Sequence, residues 1–103
     1  MTDIRLCLMT ASNEETAVRL TRVVVEEGLA ACGNLIPGIR SIYRWKGEVC
    51  DEAEVLVLLK CTATQVDALR ERLVALHPYE VPEVLVVTVE SGHAAYLAWV
   101  RGV

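Results

Sequence analysis

Residues 55–59, Val-Leu-Val-Leu-Leu, form an apolar run that no polar side chain interrupts. A short run of this kind is typical of a β-strand that is covered on both of its faces. Such a strand needs one packed layer above it and another below it. The rest of the chain must therefore supply two layers, or a second molecule must supply one of them.

The first part of the chain has the pattern of a strand followed by a helix. Residues 4–9 alternate in the manner of a strand with one buried face. Ser12 then stands three residues before Glu15, which is the spacing of a capping box at the start of a helix. An apolar stripe with helical spacing follows, and Gly28 is placed to end this helix.

A second helix is predicted after the apolar run. Thr62 and Gln65 repeat the capping-box spacing, and apolar residues follow at helical intervals. The helix must end near His77, because Pro78 pushes the residue before it out of helical geometry. No third long helical pattern is present, so the chain has only two candidates for covering a sheet.

Three further segments complete the predicted order of elements. Residues 29–45 indicate a long edge strand that is bent at Pro37-Gly38, and Lys46-Gly47 indicates a hairpin turn into the central strand. Residues 84–89 form another strand, and a short tail follows. The β-α-β-β-α-β order predicts an α+β, ferredoxin-like sandwich in which both helices cover the same face of the sheet. We therefore expect a neighbouring copy of the chain to cover the other face.

Composition narrows the class of protein and of partner. The 103 residues fit one domain, 1–103, with no internal repeat or linker, and 53% of them are apolar. A net charge of −4 disfavours nucleic acid and anionic membranes as partners and favours cations. The start of the chain lacks the pattern of a secretory signal, so we expect a cytoplasmic protein whose four cysteines are free thiols.

Several strings in the sequence resemble those of the CutA divalent-cation-tolerance family. They are Ala-Ala-Cys-Gly-Asn at 30–34, Ser-Ile-Tyr-Arg-Trp-Lys-Gly at 41–47 and His-Pro-Tyr-Glu-Val-Pro-Glu at 77–83, together with Glu54, Lys60, Tyr96 and Trp99. The resemblance implies a ferredoxin-like subunit with a short C-terminal helix, a homotrimer, binding of copper or another divalent cation, no organic cofactor and a role in metal tolerance. Gly33 departs from the pattern, because an apolar residue is usual there.

Cys32 and His77 are the candidate metal ligands. Thiolate and imidazole are soft donors that suit copper(I) or zinc, and both residues lie in the strings shared with the family. No two candidate ligands have the spacing of a closed zinc site within one chain, which leaves a site between subunits as an open alternative. The alternative for Cys32 is a small buried apolar residue, and the alternative for His77 is a helix-end residue that bonds a last-turn carbonyl.

A second group of residues combines aromatic rings with charges and is typical of a binding cleft. Its members are Tyr43, Trp45, Glu54, Lys60, Tyr79, Glu80 and Glu83. The alternative is that the rings only pack an edge strand while the charges form a solvated rim. No catalytic motif supports an enzyme, so two other functions stay open beside metal tolerance. One is a PII-like signalling trimer that binds a small, anionic ligand or a protein partner in intersubunit clefts, and the other is a structural or chaperone-like role.

Overall fold

The computed structural model describes all 103 residues and contains four strands and three helices. The elements are β1 (Ile4–Ala11), α1 (Glu14–Glu26), β2 (Cys32–Trp45), β3 (Glu48–Thr62), a 3-10 turn (Ala63–Gln65), α2 (Val66–Leu76), β4 (Val84–Thr88) and α3 (Ala94–Gly102). This order confirms the predicted β-α-β-β-α-β arrangement with a short C-terminal helix. None of the three helices is both long enough and apolar enough to span a bilayer.

The four strands form one antiparallel sheet in the order β2-β3-β1-β4. The run 55–59 lies in β3, between β1 and β2, so it occupies the interior of the sheet as its composition requires. Helices α1 and α2 cover one face. The core between them and the sheet includes fully buried side chains from every layer, among them Cys7, Met9, Leu20, Val57, Leu59, Leu69 and Leu73.

The predicted start of the first helix is wrong by one residue. The N-cap is Asn13 and not Ser12, because the Asn13 Oδ1 accepts the Thr16 backbone N–H at 2.8 Å. Strand β1 continues to Ala11, and asparagine caps a helix as well as serine does. The second capping box is present, since Gln65 Oε1 accepts the Thr62 N–H at 2.8 Å, but a 3-10 turn separates it from α2.

Strand β2 begins at Cys32, three residues later than predicted. The backbone N–H groups of Leu29 and Ala30 both donate to the Val24 carbonyl, at 2.9 and 3.3 Å. Gly28 allows this reversal because it has a φ of 73°, in the left-handed region. Residues 28–30 therefore satisfy the end of α1 and are not available to pair with β3.

The other face of the sheet is apolar and mostly uncovered, and we call it the open face. The strand register places on it Leu6, Leu8, Ile36, Leu56, Leu58, Leu85 and Val87. Ile36, Leu85 and Val87 are each between 42% and 57% exposed. Helix α3 covers only the end of this face near Ile4, where Ala31, Leu97 and Val100 form a small second core. One copy of the chain therefore leaves apolar sheet surface in water, as the sequence indicated.

Strands β2 and β3 extend beyond the rest of the sheet as a hairpin arm, residues 39–54. These residues pair only with each other, since β1 reaches no further along β3 than Val55. The register shifts between Ile36 and Ile39, which is the bend predicted at Pro37-Gly38. At the tip, Lys46 and Gly47 have φ values of 49° and 81°, as in the tight turns that favour hairpins.

Gly33 is required by the packing of α1 against the sheet. A Cβ at this position would lie 2.6 Å from Thr21 Cγ2 and 2.7 Å from Leu59 Cδ2, far inside van der Waals contact. We expect Gly33→Ala to lower the free energy of unfolding by about 1–3 kcal/mol, as overpacking does. Gly92→Ala is the control, because its Cβ would meet nothing closer than 3.4 Å. Equal stability of the two variants in chemical denaturation would contradict this account of Gly33.

Candidate functional site

A cavity lies between the hairpin arm and the loop 77–83, and we call it the arm–loop cavity. Its volume is about 690 Å³. This is within the range of small-molecule sites in proteins. The arm and loop supply nearly all of the lining, which is Thr10, Arg40, Ser41, Ile42, Tyr43, Trp45, Glu52, Glu54, Tyr79, Glu80, Val81 and Glu83.

His77 fixes the loop to the sheet from its position at the end of α2. Its Nδ1 accepts the Tyr79 backbone N–H at 3.1 Å, so that nitrogen carries no proton. The proton is therefore on Nε2, which donates to the Thr10 carbonyl at 2.8 Å. The side chain is only 7% exposed, and both ring nitrogens are engaged with backbone groups. In the subunit the His77 side chain is an anchor for the cavity wall and bonds β1, while the His77 backbone N–H donates to the Leu73 carbonyl in the last turn of α2 at 2.9 Å.

Two tyrosine hydroxyls are directed at glutamates on β3. Tyr79 donates to Glu54 Oε2 at 2.7 Å, and Tyr43 donates to Glu52 Oε1 at 2.8 Å. Burial, together with the hydrogen bond to Glu54, raises the pKa of Tyr79, and the hydrogen bond to Glu52 raises the pKa of Tyr43 to about 12. Both hydroxyls therefore stay protonated at neutral pH and hold the two carboxylates toward the cavity.

The cavity is negatively charged. Four glutamates line it, at positions 52, 54, 80 and 83, against one guanidinium, that of Arg40. Asp51 already holds this guanidinium through two hydrogen bonds of 2.8 and 2.7 Å, which raise the pKa of Arg40 and lower that of Asp51. Lys46 lies 3.7 Å from Glu80, but both of these side chains are exposed. An anionic ligand, which the signalling hypothesis assumed, does not suit this charge.

Cys32 lies at the other end of the sheet from His77. The register places Cys32 beside Lys60, and Lys60 beside Leu6, whereas His77 bonds Thr10 four residues further along β1. This offset is about 13 Å along the strand direction. The Cys32 Sγ is half-buried and lies 3.3 Å from Tyr96 Oη, a contact that raises the pKa of Tyr96. Within one subunit Cys32 and His77 do not converge.

No group of three or more histidine, cysteine, aspartate or glutamate side chains in the chain is arranged to hold a metal ion. Cys7 and Cys61 are fully buried in the core, where burial raises the pKa of both thiols, that of Cys7 to about 11. They are packing residues and not available as thiolates. A copper site that includes Cys32 must therefore take its other donors from a second copy of the chain.

Six of the seven residues predicted for a cleft line the arm–loop cavity. The exception is Lys60, whose Nζ donates to Asn34 Oδ1 on the open face. Lys60 and Glu54 lie on the same face of β3, but they are six residues apart, which is about 20 Å along a strand. Lys60 is therefore too far from Glu54 to line the same cavity. Sequence reasoning missed Glu52, which the two-residue period of a strand places on the same face as Glu54. Whether the cavity binds a ligand stays a prediction.

Comparison with protein families gives one match over almost the whole chain. Residues 5–103 match the family model described as CutA1 divalent ion tolerance protein. A divalent-cation tolerance protein CutA from Thermus thermophilus is 47% identical over 94 residues, which are 91% of each chain. The human protein CutA is 46% identical over 100 residues, 97% of this chain. The chain spans 56% of the length of that human relative.

Solved structures of similar proteins have the same fold. The structure of CutA from Xylella fastidiosa matches with a TM-score of 0.95 and 40% identity, over 98% of this chain and 97% of that one. The divalent cation tolerance protein Cut A1 from Thermus thermophilus matches with a TM-score of 0.92 and 44% identity, over 96% of both chains. The likeness extends over the helices, the sheet and the hairpin arm together.

Proposed function

Because the chain belongs to the CutA1 divalent ion tolerance protein family, we propose that it is a homotrimeric divalent-cation tolerance protein that binds copper between its subunits. The observation that carries this proposal is the open face, which requires a second copy, together with the position of Cys32 beside that face. The role is one of binding and not of catalysis.

Assembly is supported by the apolar character of the open face. Leu85 and Val87 belong to the edge strand β4 and are about half exposed, and Leu6, Leu8 and Leu58 beside them are only partly covered. A contiguous apolar surface of this kind on a small domain marks a protein interface. Covering it with another copy stabilises the assembly by about 25 cal/mol for each Å² of apolar surface removed from water. A trimer is the assembly that the resemblance to the family implies, and a measured mass tests it.

Copper binding is supported by the chemistry of the half-buried Cys32 thiol. A thiol is a soft donor that favours copper(I) when it is deprotonated. The Cys32 Sγ lies beside the open face, where a second copy would approach, and its only protein partner is the Tyr96 hydroxyl. His77 would have to leave both of its backbone partners to bind a metal ion, so we assign the ligand role to Cys32 and the anchor role to His77.

An anaerobic copper(I) titration tests this assignment. We expect Cys32→Ser to weaken the affinity by about tenfold or more, since serine is a hard and poor ligand for this ion. Cys50→Ser is the matched control, because Cys50 is also half-buried but lies on the hairpin arm. We expect Cys50→Ser and His77→Gln to bind as the unmodified protein does. Unchanged affinity in Cys32→Ser would remove this residue as a ligand.

A PII-like signalling trimer that binds a small ligand is the second candidate function. The arm–loop cavity favours it, because its volume and its aromatic and charged lining suit a small molecule. A ligand that binds only the folded protein raises its melting temperature, so a thermal-shift screen separates this function from metal tolerance alone. A screen in which metal ions shift the melting temperature and organic compounds do not would exclude it.

A further inference from the structure

Glu54 is a nearly buried carboxylate with no cationic partner. Its residue is 8% exposed and lines the arm–loop cavity. One carboxylate oxygen accepts the Tyr79 hydroxyl, whereas Oε1 accepts no hydrogen bond from the chain. None of the six ion pairs in the chain includes Glu52, Glu54 or Glu83.

Glu54 is only partly compensated by the chain. The residue is almost removed from bulk water, while its Oε1 remains open to the cavity. A carboxylate in such a position gains from a cationic partner. The Tyr79 hydroxyl supplies one hydrogen bond to Glu54 but no positive charge. An occupant of the cavity can supply that positive charge at Oε1.

A bare divalent cation does not fit this position. A metal ion needs several oxygen ligands converging on one point. The glutamates of the cavity do not form such a group, and two of them already accept tyrosine hydroxyls. A positively charged organic group that has its own N–H donors fits the single free oxygen of Glu54 better than a bare metal ion does.

We propose that the arm–loop cavity binds a small organic amine, whose protonated ammonium group donates to Glu54 Oε1 and whose carbon chain lies against the rings of the arm and the loop. A primary ammonium has three N–H donors, which match Glu54 and the neighbouring Glu52. A quaternary ammonium has none, so primary amines bind in preference to it.

The aromatic lining suits the rest of such a ligand. Tyr79 is held in place by Glu54 and packs against His77 in a tilted arrangement, with ring centroids 4.5 Å apart. Tyr43 and Trp45 add two rings from the arm. Aromatic faces attract organic cations, and they bury methylene groups as well. The charge and the walls of the cavity thus favour the same class of molecule.

This proposal does not rest on copper binding. Within the subunit the cavity lies about one sheet-length away from Cys32. A failure of the copper titration therefore leaves the amine site untouched, and a failure of amine binding leaves the Cys32 assignment untouched.

Isothermal titration of the full chain at a fixed ionic strength of about 0.15 M tests the proposal. The probes are 1,6-diaminohexane, the neutral 1,6-hexanediol of the same length, and tetramethylammonium. We expect saturable binding of the diamine, weaker binding of tetramethylammonium and no binding of the diol. Glu54→Gln should weaken diamine binding by about tenfold or more, since a charge-assisted hydrogen bond is lost while an acceptor for Tyr79 remains.

Two further variants keep the test specific. Glu71→Gln removes the same charge from the exposed surface of α2, where the glutamate has no ion pair, and should leave the affinity unchanged. Trp45→Leu should weaken binding about threefold to tenfold without removing a charge. The proposal is overturned if the diol binds as well as the diamine, if Glu71→Gln weakens binding as much as Glu54→Gln does, or if no amine binds. It is also overturned if Glu54→Gln changes only the dissociation of the trimer, because a neighbouring copy would then be the occupant.

Discussion

Replacing Val87 by glutamate is expected to convert the proposed trimer into folded monomers. Val87 is on the open face, in the edge strand β4, and is 49% exposed in one subunit. In the assembly its side chain would be covered, and an unpaired carboxylate buried there costs about 3–5 kcal/mol per subunit. In a monomer the same carboxylate stays in water and costs little. The far-ultraviolet circular dichroism should therefore remain native while the mass measured by light scattering falls to that of one chain.

The matched control for this change is Val74→Glu. Val74 is 48% exposed, nearly the same as Val87, but it lies on helix α2, on the side of the molecule opposite to the open face. We expect this variant to have the same mass as the unmodified protein, because Val74 lies away from the open face. If both variants remain trimeric, or if both dissociate, the open face is not the surface through which the copies associate.

Replacing His77 by alanine is expected to destabilise the subunit by about 2–4 kcal/mol. The change leaves the Thr10 carbonyl and the Tyr79 N–H without their partners, and each unsatisfied buried group costs about 1–3 kcal/mol. The loop that forms one wall of the arm–loop cavity also loses its attachment to β1. The measurement is denaturant unfolding at one fixed protein concentration, since assembly adds to the apparent stability.

His93→Ala is the control, because His93 is exposed at the start of α3 and its side chain makes no capping hydrogen bond. We expect that change to stay within about 0.5 kcal/mol of the unmodified protein. If His77→Ala is as stable as His93→Ala, the two hydrogen bonds of the His77 ring do not hold the loop.

The order of elements was predictable because each one has a local signal. The apolar run 55–59 identified the interior strand, and the spacing after Thr62 identified α2. The turn at Lys46-Gly47 is equally local, since the backbone needs a positive φ there and glycine provides it readily. These features depend on residues within a few positions of one another, which a sequence pattern contains.

The start of β2 was misplaced because Leu29 and Ala30 are apolar and fit a strand, although their amides fold back onto the Val24 carbonyl of α1. The role of His77 was not predictable for the opposite reason to the local features. His77 bonds a carbonyl 67 positions away in the sequence. Contacts between a side chain and a distant backbone group leave no periodic signal.

The candidate site was predictable from the sequence only in part. Its aromatic and acidic residues were recognised because they lie in two short strings that the fold brings together across the arm and the loop. Lys60 was predicted in the same group but does not line the cavity of the subunit, because it lies six residues from Glu54 along β3. The negative charge of the cavity also depends on Asp51, which pairs with Arg40.

The mass of the unmodified protein in dilute solution tests the central claim most directly, namely that copies of the chain cover the open face of the sheet. Light scattering at micromolar concentration should give three times the subunit mass of 11.4 kDa, and the value should persist on further dilution. A mass of 11.4 kDa, from a protein whose circular dichroism and cooperative unfolding show that it is folded, would contradict the claim.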